Sequence, residues 1–471
     1  MAIAPNILAR LKAITGPDGW VSDPNDLTPF LSEPRGRFHG QTPLLMLPAS
    51  TAQVAAIVTE CAVHQIPIVP QGGNTGLVGG QIPSSSVSDQ IIVNLRCMNR
   101  IRDIDPVAGT MTAEAGCILA AVQTAAIAVD RLFPLSLAAE GSCQIGGNLA
   151  TNAGGNQVLR YGTARALTLG LEVVLADGKI WDGLKPLGKD NTGYDLKHMF
   201  IGSEGTLGII TAAVLRLFPQ PRQTVTAIAG VSSIAAAMKL MERMQSASGE
   251  RTTAFEMMSA LAVELAINHM DGVTSPLAAQ APWYALMEFH GGAGDDLEPT
   301  IEAGLGQALD DGEVVDGAIA QNAGQAQAMW KLRDSIPSAQ SKEGASIKND
   351  VGVPGHRAAE FVEACTAAIE SVVPGSRLVA FGHLGDGNLH MNVSQPPGMD
   401  PRKYLDHWDE MTGVVHDLAM EFGGTFSAEH GIGQLKRGEM KRHKSAAELE
   451  TMGGIKAAFD RQGIFNPGKI F

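Results

Sequence analysis

The stretch EGSCQIGGNLATNAGGNQVLRYG, residues 140–162, interleaves glycines with small polar side chains. Glycine allows backbone N–H groups to turn toward one point and lets a ligand approach the backbone closely. Successive N–H groups in such turns form concave sites for anions. Taken alone, a Gly- and Asn-rich stretch is also typical of a long surface turn. Its interpretation therefore depends on the segments that accompany it.

A second glycine-rich loop lies upstream, in IPIVPQGGNTGLVGGQIP, residues 66–83. A short β-branched run precedes its glycines, which is the order of a strand followed by a phosphate-binding loop. The segment has neither the GxGxxG spacing of a Rossmann dinucleotide site nor the lysine of a P-loop. The two loops together favour a binding site over a surface turn.

Two further segments follow, KDNTGYDLKHMF (residues 189–200) and IGSEGTLGIITAAVLRLFP (residues 201–219). With the two loops, in this order, they resemble the flavin domain of the vanillyl-alcohol-oxidase-type FAD enzymes. Within that group the chain is most similar to the FAD-linked D-2-hydroxyacid dehydrogenases, above all the D-2-hydroxyglutarate dehydrogenases. The similarity continues through GHLGDGNLHMNV, SAEHGIG and FNPGKIF, so it covers nearly the whole chain.

Length and charge bound the class of protein. A chain of 471 residues predicts two or three domains with a large core. Its 45% hydrophobic and 18% charged residues describe an ordinary soluble protein. The net charge of −14 disfavours nucleic acid or an anionic membrane surface as the main partner. An anionic substrate therefore requires a local cationic pocket.

Cysteine usage and the N-terminus indicate the compartment. The five cysteines are scattered and form no CxxC pair, which predicts reduced, mostly buried thiols and no disulfide framework. The N-terminal residues lack the pattern of a signal peptide, and the chain has no apolar run of 18 residues. We expect a cytoplasmic protein without a transmembrane segment. Peripheral attachment to a membrane complex stays open.

The order of segments predicts an α+β fold. The resemblance implies a vanillyl-alcohol-oxidase-type FAD-binding domain in residues 1–220. It implies a substrate domain in residues 221–424, built on an antiparallel, ferredoxin-like sheet with helices on one face. Residues 425–471 are expected to form a C-terminal helical segment that returns to the flavin. Within the first domain, Asp177-Gly178 predicts a type I′ hairpin turn.

The strongest chemical signal after the glycine loops is FGHLGDGNLHMNV, residues 381–393. His383 and His390 are seven residues apart, so one straight strand would place them on opposite faces. The intervening Gly-Asp-Gly-Asn is a turn signature, which predicts that the chain reverses and brings the imidazoles together. A lone histidine is usually a packed or solvated side chain, but two that flank a turn favour a pair. Asn392 then lies on the same face as His390.

The motif SAEHGIG contains Glu429 and His430. Two histidines and one carboxylate make the ligand set of an open catalytic zinc site. The resemblance, and not the spacing, implies that His383, His390 and Glu429 bind one metal ion. Zinc fits this set, and manganese or cobalt fits it as well. The resemblance also makes His430 the general base, a role suited to a group that titrates near neutral pH; the alternative is a histidine in a surface loop.

Two cations complete the predicted anion site. The resemblance places Arg333, late in a helix that Pro337 is expected to interrupt, and Lys348, in a short strand, on the C1 carboxylate of the substrate. A guanidinium fork suits a carboxylate, although most Arg and Lys side chains are solvated surface charges. Asn392 is expected to hold the substrate too. One departure bears on substrate choice, because Pro337 stands where human-type D-2-hydroxyglutarate enzymes carry a hydroxyl residue.

The resemblance implies the cofactor contacts and the partners. No attachment residue for a covalent flavin stands out, so FAD is expected to bind non-covalently. An electron-transfer flavoprotein or a quinone-linked carrier is the implied electron acceptor, and a homodimer is the family expectation. The expected FAD contacts are Gly72, Gly73, Asn74, Thr75, Gly76, Ser142, Gly146, Gly147, Asn148, Thr151, Asn152, Gly205, Ile210 and Asn466.

These features predict an FAD- and metal-dependent dehydrogenase that oxidises a D-2-hydroxy acid by hydride transfer to the flavin. D-2-hydroxyglutarate is the first choice of substrate, and D-lactate is the second. A non-catalytic, flavin-binding subunit of an oxidase complex is the alternative of another class, and it would lack the metal ligands and the base. A plain zinc hydrolase would leave the glycine-rich loops without a purpose.

Overall fold

The computed structural model describes residues 3–471. Its strands, in chain order, are β1 (Trp20–Val21), β2 (Leu45–Met46), β3 (Ile68–Gln71), β4 (Ile91–Asn94), β5 (Ile101–Asp105), β6 (Thr110–Glu114), β7 (Arg131–Leu132), β8 (Thr168–Val174), β9 (Ile180–Gly183), β10 (Ile209–Arg216), β11 (Phe218–Pro219), β12 (Gln223–Val231), β13 (Thr252–Ser259), β14 (Trp283–Gly291), β15 (Val314–Ile319), β16 (Ser346–Ile347), β17 (Asp350–Gly352), β18 (Arg377–His383) and β19 (Asn388–Ser394).

Several helices begin where a serine side chain caps a free backbone N–H. Ser50 accepts from the N–H of Gln53 at the start of α3, and Ser233 and Ser259 cap α8 and α9 in the same way. The helices are α1 (Pro5–Thr15), α2 (Pro24–Leu27), α3 (Thr51–His64), α4 (Leu119–Ile127), α5 (Ile145–Ala150), α6 (Val158–Tyr161), α7 (Lys197–Phe200), α8 (Ile234–Ser248), α9 (Ala260–His269), α10 (Leu297–Asp310), α11 (Ala323–Glu343), α12 (Ala358–Val372), α13 (Pro401–Leu405), α14 (Trp408–Glu421), α15 (Arg437–His443) and α16 (Ala446–Phe459).

The chain divides into two compact units. Unit 1 contains the residues up to Gly154, together with Gly162–Gln220 and Glu429–Phe471. Its first sheet has the order β1-β2-β4-β3, and β2, β4 and β3 run parallel. Its larger sheet is antiparallel, with the order β5-β6-β10-β8-β9. Apolar side chains of α3, β3 and β4 form the core of the first sheet.

Unit 2 contains Gly155–Tyr161 and Pro221–Ala428 and is built on one large antiparallel sheet. The strand order is β15-β12-β14-β13-β18-β19-β16, and β17 also pairs with β19. Helices α8, α10 and α12 cover one face, while α9 and α11 cover the other. The expectation of helices on one face is therefore wrong. Every residue of β13 is buried, which requires cover on both sides of the sheet.

The hairpin at β8 and β9 forms where the sequence predicts it, but its turn is of another type. The N–H of Gly178 donates to the carbonyl of Leu175, which closes a four-residue turn. Within that turn, which the structure describes in full, Gly178 alone has positive φ, at 81°. A type I′ turn needs positive φ at both central residues, so that part of the prediction is wrong. Gly178 is instead the last residue of the turn, where its positive φ directs the chain into β9.

Helix α11 runs unbroken through Pro337, so the interruption expected there is wrong. Proline removes one backbone N–H and crowds the residue four positions earlier, which here is Arg333. The helix continues because Leu332, Ile336 and Ala339 are buried against the sheet on both sides of the proline. Lys348 also departs from expectation, since it lies between β16 and β17 and not within a strand.

The C-terminal tail returns to the first sheet of unit 1. The N–H of Ile68 donates to the carbonyl of Ile464, and the N–H of Asn466 donates to the carbonyl of Ile68, so the tail lies alongside β3. The buried carboxylate of Asp460 accepts the N–H groups of Ile464 and Phe465. These contacts fix the position of Asn466.

The sequence predicts reduced, mostly buried cysteines and no transmembrane segment. Four cysteines are buried and Cys97 is exposed, all of them as free thiols. Among residues 3–471, no helix is both long enough and apolar enough to cross a membrane.

The buried Lys469 makes the stability of unit 1 depend on pH. Burial, together with the charge of Arg437, lowers the pKa of the Lys469 ammonium from 10.5 to about 7. Between these values the unfolded chain binds more protons than the folded chain, so this group makes stability rise with pH from about 7 to 10.5. We expect Lys469→Met to unfold at a higher temperature than wild type at pH 6, with the difference shrinking toward pH 10. Thermal unfolding across this range checks it, and a difference independent of pH would contradict it.

Candidate active site

Unit 1 encloses a cavity of about 320 Å³. The glycine-rich loop after β3 and the loop that leads into α5 form two of its sides. The turn before β10 and the C-terminal tail form the others. Lining residues beyond the predicted flavin contacts include Gln71, Val78, Gly80, Leu95, Ala115, Ala139, Cys143, Gln144, Gly154, Glu204, Ile209, Glu429 and His430.

The residues expected to contact the flavin border this cavity, apart from Ser142 and Asn152. The hydroxyl of Ser142 donates to the carbonyl of Ala139. The side-chain oxygen of Asn152 accepts the backbone N–H of Arg165. Both side chains therefore make contacts that stabilise the loop itself.

The two loops approach each other so closely that one contact admits only glycine. A Cβ atom at Gly73 would lie 2.0 Å from the carbonyl oxygen of Ser142. A side chain at that position would separate the loops and widen the cavity. Glycine at position 73 thus reflects backbone packing at the cavity wall.

Four acceptor atoms at the cavity have no hydrogen-bond partner within the described chain. They are the side-chain oxygens of Asn74, Gln144, Asn148 and Asn466, and all four are buried. A buried polar atom without a partner costs about 1 to 3 kcal/mol. The cavity therefore suits a ligand that carries several hydroxyl, amino or N–H donors.

Sequence reasoning missed Gln144 and Glu204. Gln144 is the residue before α5. The neighbouring glycines carry the stronger sequence signal for a binding loop, so Gln144 was not singled out. Glu204 lies between glycines, and the residues around it carry no charge. A single acid in such a segment is the sequence signal that could have identified it. Its carboxylate accepts the N–H of Ile432 and the N–H of Gly433, each at 2.7 Å.

In unit 2, the structure brings the imidazoles of His383 and His390 together. Strands β18 and β19 pair antiparallel around a 3-10 turn at Leu384–Asp386, and Phe381 lies opposite His390 in the register. The two imidazole centroids are 5.7 Å apart. The reversal puts both rings on one face, as the glycine-containing turn predicts.

Each imidazole faces a carboxylate through its Nδ1 atom. His383 Nδ1 lies 2.5 Å from Glu256 Oε1, and His390 Nδ1 lies 3.9 Å from Asp350 Oδ1. Both pairs are also opposite residues in adjacent strands, β13 with β18 and β17 with β19. The hydrogen bond to Glu256 fixes the orientation of the His383 ring and directs its Nε2 away, as in the second shell of metal sites. The distance between His390 and Asp350 is too long for a hydrogen bond.

Glu256 is the functional candidate that sequence reasoning missed in unit 2. Its side chain is fully buried on β13 and accepts both His383 Nδ1 and, at 2.7 Å, Arg333 Nε. Burial alone raises the pKa of Glu256, but the charges of His383 and Arg333 outweigh burial and hold that pKa at about 2. The Arg333 guanidinium also lies over Phe381, 5.0 Å from the ring centroid. Glu256 thus joins a predicted metal ligand to a predicted substrate ligand.

The remaining predicted site residues lie partly in unit 2 and partly in unit 1. The amide of Asn392 donates to Gln340 Oε1 at 3.0 Å, so Asn392 is held by α11. Lys348 is half-buried between β16 and β17. Glu429 and His430 begin the last segment of unit 1 and border its cavity. The combined ligand set of His383, His390 and Glu429 stays a prediction.

Comparisons with known proteins identify the family of the chain. Residues 42–183 match the FAD binding domain family, and residues 220–470 match the C-terminal domain of FAD linked oxidases. The chain belongs to the FAD-linked oxidase family. It is an FAD-dependent oxidoreductase, which confirms FAD as a cofactor and the predicted enzyme class.

Relatives of this FAD-linked oxidase extend along almost the whole chain. A probable mitochondrial D-2-hydroxyglutarate dehydrogenase of Oryza sativa subsp. japonica is 38% identical, covering 98% of this chain and 81% of the relative. A D-2-hydroxyglutarate dehydrogenase of Stutzerimonas stutzeri (strain A1501) is 33% identical, covering 99% of each chain. A putative mitochondrial D-lactate dehydrogenase of Schizosaccharomyces pombe is 36% identical, covering 97% of this chain and 88% of the relative.

Solved structures show that the fold is shared more widely than the sequence. p-Cresol methylhydroxylase with substrate bound superimposes with a TM-score of 0.77 at 16% identity, covering 99% of this chain and 96% of the other. Alkyldihydroxyacetonephosphate synthase gives a TM-score of 0.74 at 17% identity, covering 99% and 85%. These neighbours confirm the predicted vanillyl-alcohol-oxidase-type fold.

The unit 1 cavity of this FAD-linked oxidase fits FAD. The four amide oxygens described above are acceptors for the hydroxyl, ring N–H and amino donors of the cofactor. The backbone of the glycine-rich loops provides N–H groups for its pyrophosphate. The cavity wall thus supplies both kinds of contact that FAD requires.

FAD binding provides a test of the cavity wall. A Cβ atom at Gly147 would meet no protein atom within 4 Å, and Gly147 lines the cavity. We expect Gly147→Leu to fill cofactor space and to purify with less than about a tenth of the wild-type FAD, because overfilling a packed site costs about 1 to 3 kcal/mol. Flavin absorbance per chain measures this. Gly141→Leu is the control, since Gly141 also has open space but lies outside the lining; equal FAD loss in both variants would contradict the assignment.

Glu256 provides a test of unit 2. Glu256→Gln keeps the shape of the side chain but leaves Arg333 and His383 without their buried countercharge. Breaking a buried ion pair in this way costs about 3 to 5 kcal/mol, so we expect a clearly lower thermal unfolding midpoint. The control is Glu298→Gln on the exposed surface of α10, which should unfold like wild type. Equal thermal unfolding midpoints for Glu256→Gln and Glu298→Gln would contradict a stabilising role of the Glu256 ion pairs.

Proposed function

We propose that this enzyme oxidises D-2-hydroxyglutarate to 2-oxoglutarate and depends on a divalent metal ion. The observation that carries the proposal is the pair His383 and His390, each with a carboxylate at Nδ1. A metal clamp of this type suits an α-hydroxy carboxylate, which offers two oxygens to one ion. Relatives with 33 to 38% identity over nearly the full chain carry the name D-2-hydroxyglutarate dehydrogenase.

We assign the metal to His383, His390 and Glu429, with zinc as the first choice. Two imidazoles and one carboxylate leave a coordination position open for substrate. The hydrogen bond between His383 Nδ1 and Glu256 leaves Nε2 of His383 as its ligand atom. A bound ion supplies a positive charge that makes a coordinated hydroxyl more acidic.

His430 is the proposed general base, and FAD is the two-electron oxidant when bound. A base must take the hydroxyl proton of the substrate while the α-hydrogen leaves. His430 borders the FAD cavity in unit 1, and it follows Glu429 directly. Adjacent residues in a turning segment point in different directions, so one can face the metal and the other the substrate.

Arg333, Lys348 and Asn392 are the proposed substrate ligands. The contact of Arg333 with Glu256 uses Nε, and the guanidinium carries four more N–H donors for a carboxylate. The ion pair with Glu256 holds the planar group in one orientation, which favours a bidentate contact. The amide nitrogen of Asn392 donates to Gln340, and its side-chain oxygen is the proposed contact to the substrate.

D-Lactate is the second candidate substrate. Pro337 lies one helical turn after Arg333, where the family resemblance implies a hydroxyl residue, and a proline side chain offers no hydrogen bond to a second carboxylate. The Schizosaccharomyces pombe relative is named a putative D-lactate dehydrogenase. A smaller substrate with one carboxylate would not need the missing contact.

The partners and the location are further parts of the proposal. We infer an electron-transfer flavoprotein or a quinone-linked carrier as acceptor and a homodimer as the assembly, both by analogy with the family. A cytoplasmic location is also part of the proposal. Several plant and animal relatives are named mitochondrial.

Anaerobic bleaching of the flavin tests substrate and metal together. The purified enzyme is mixed with D-2-hydroxyglutarate, D-lactate or their L-enantiomers, before and after EDTA and again after zinc is restored. We expect reduction by a D-acid, strongest with D-2-hydroxyglutarate, to disappear on chelation and to return with zinc. Faster reduction by D-lactate would select the second substrate, and no reduction by any 2-hydroxy acid would overturn the dehydrogenase function.

Histidine variants test the metal ligands directly. His390→Asn should lower bound metal and the flavin reduction rate by on the order of 100-fold. His356→Asn is the matched control, because His356 lies exposed in unit 2 outside the histidine pair. Retention of metal by His390→Asn at the wild-type level would refute the assignment.

A further inference from the structure

Glu204 has contacts that the proposed chemistry does not use. It lies in the turn before β10, and its carboxylate is buried in unit 1. One carboxylate oxygen accepts the N–H of Ile432 and the other accepts the N–H of Gly433, both at 2.7 Å. These two residues follow the proposed base His430 by two and three positions. A carboxylate that accepts two backbone N–H groups is among the stronger hydrogen-bond arrangements in proteins.

The backbone at Glu204 is held as firmly as its side chain. Its N–H donates to the carbonyl of Ala150, and its carbonyl accepts from the side-chain amide of Asn466. The residue has φ of 51°, a left-handed conformation that a glutamate rarely adopts. Such a conformation costs about 1 to 3 kcal/mol and persists where the surroundings require it. The same amide of Asn466 also donates to Gly80 in the first glycine loop.

The turn that Glu204 binds is shaped around the carboxylate. Gly431 has φ of 78°, and a Cβ atom there would lie 2.7 Å from Glu204 Oε1. Gly433 has φ of 51°, and its Cβ would lie 2.3 Å from the carbonyl oxygen of Val78. The N–H of Gln434 donates to that same carbonyl. The segment after His430 is therefore fixed to two walls of the FAD cavity within a few residues.

Charge supports the same arrangement. Burial raises the pKa of the Glu204 carboxyl, while the two N–H donors and the charge of Lys436 act in the opposite direction. Lys436 is itself buried, one turn after Ile432, and its N–H donates to the Ile432 carbonyl. A buried anion with a nearby cation and two N–H donors stabilises one geometry of the turn.

We propose that Glu204 is the positioning residue for His430: its carboxylate fixes the turn at Gly431–Gly433 and so sets the imidazole of His430 at the edge of the FAD cavity. The inference rests on the proposed role of His430 as base. Glu204 borders the cavity as well, but both its oxygens are engaged by the turn. Its effect on the reaction is therefore exerted through His430.

The test compares Glu204→Gln with Glu204→Asp and with the control Glu450→Gln on the exposed surface of α16. Glutamine turns an NH₂ group toward one of the two N–H donors, and aspartate is one methylene too short to reach both. We expect flavin reduction per bound FAD to fall about 100-fold in both Glu204 variants, the cost of misplacing a catalytic group by about 1 Å. The solvent deuterium isotope effect should rise, because proton removal by a displaced base becomes slower than hydride loss.

A second readout does not depend on activity. Hydrogen exchange of the backbone amides at Ile432 and Gly433, followed by mass spectrometry, should accelerate in the Glu204 variants and stay unchanged in Glu450→Gln. Wild-type reduction rates per bound FAD in Glu204→Gln would overturn the proposal. Loss of folding or of FAD in both Glu204 variants would assign a purely structural role to the residue and overturn it as well.

His430→Asn separates this inference from the function on which it rests. A wild-type reduction rate in His430→Asn would refute the role of His430 as base, whatever the Glu204 variants do. A slow His430→Asn beside fast Glu204 variants would refute only the positioning role. Slow reduction in all three, with FAD bound, supports both.

Discussion

The register of four strands in unit 2 is the constraint on which the site depends. Glu256 lies opposite His383 across β13 and β18, and Asp350 lies opposite His390 across β17 and β19. Because side chains alternate along a strand, a slip of one residue would turn an imidazole to the other face, away from its carboxylate. The apolar residues of β13 are buried on both faces and make such a slip costly. The packing of the core and the geometry of the site thus depend on the same strand register.

One carboxylate in each unit performs a similar task. Glu256 in unit 2 holds a guanidinium and an imidazole, and Glu204 in unit 1 holds two backbone N–H groups. A carboxylate without partners would be costly to bury, so each is stable only while its donors stay in place. Each carboxylate and its donors are therefore stable only together, in one arrangement. That rigidity is what a site needs when small displacements of its groups slow the chemistry.

The parts of the site that could be predicted from sequence are those with local signatures. The glycine-rich loops and the turn between His383 and His390 are encoded by neighbouring residues, and both form as expected. Glu256 lies in TTAFEMMS, where a single acid gives no sign of which strand will pair with it. Pro337 misled in the opposite way, since a strong local helix breaker was overridden by burial of the helix on the sheet. Local sequence patterns do not show which strands will pair or which helix will be buried against a sheet.

The fold alone does not choose the reaction. p-Cresol methylhydroxylase shares the fold at 16% identity, so the same architecture is compatible with very different sequences. In this chain, the FAD cavity belongs to unit 1, while the histidine pair and Arg333 belong to one sheet face and one helix of unit 2. The face of α11 that carries Arg333 and Pro337 is set by helical periodicity and can change without altering the strand register. The proposed substrate contacts on α11 can therefore vary while the paired histidines and the FAD cavity stay as they are.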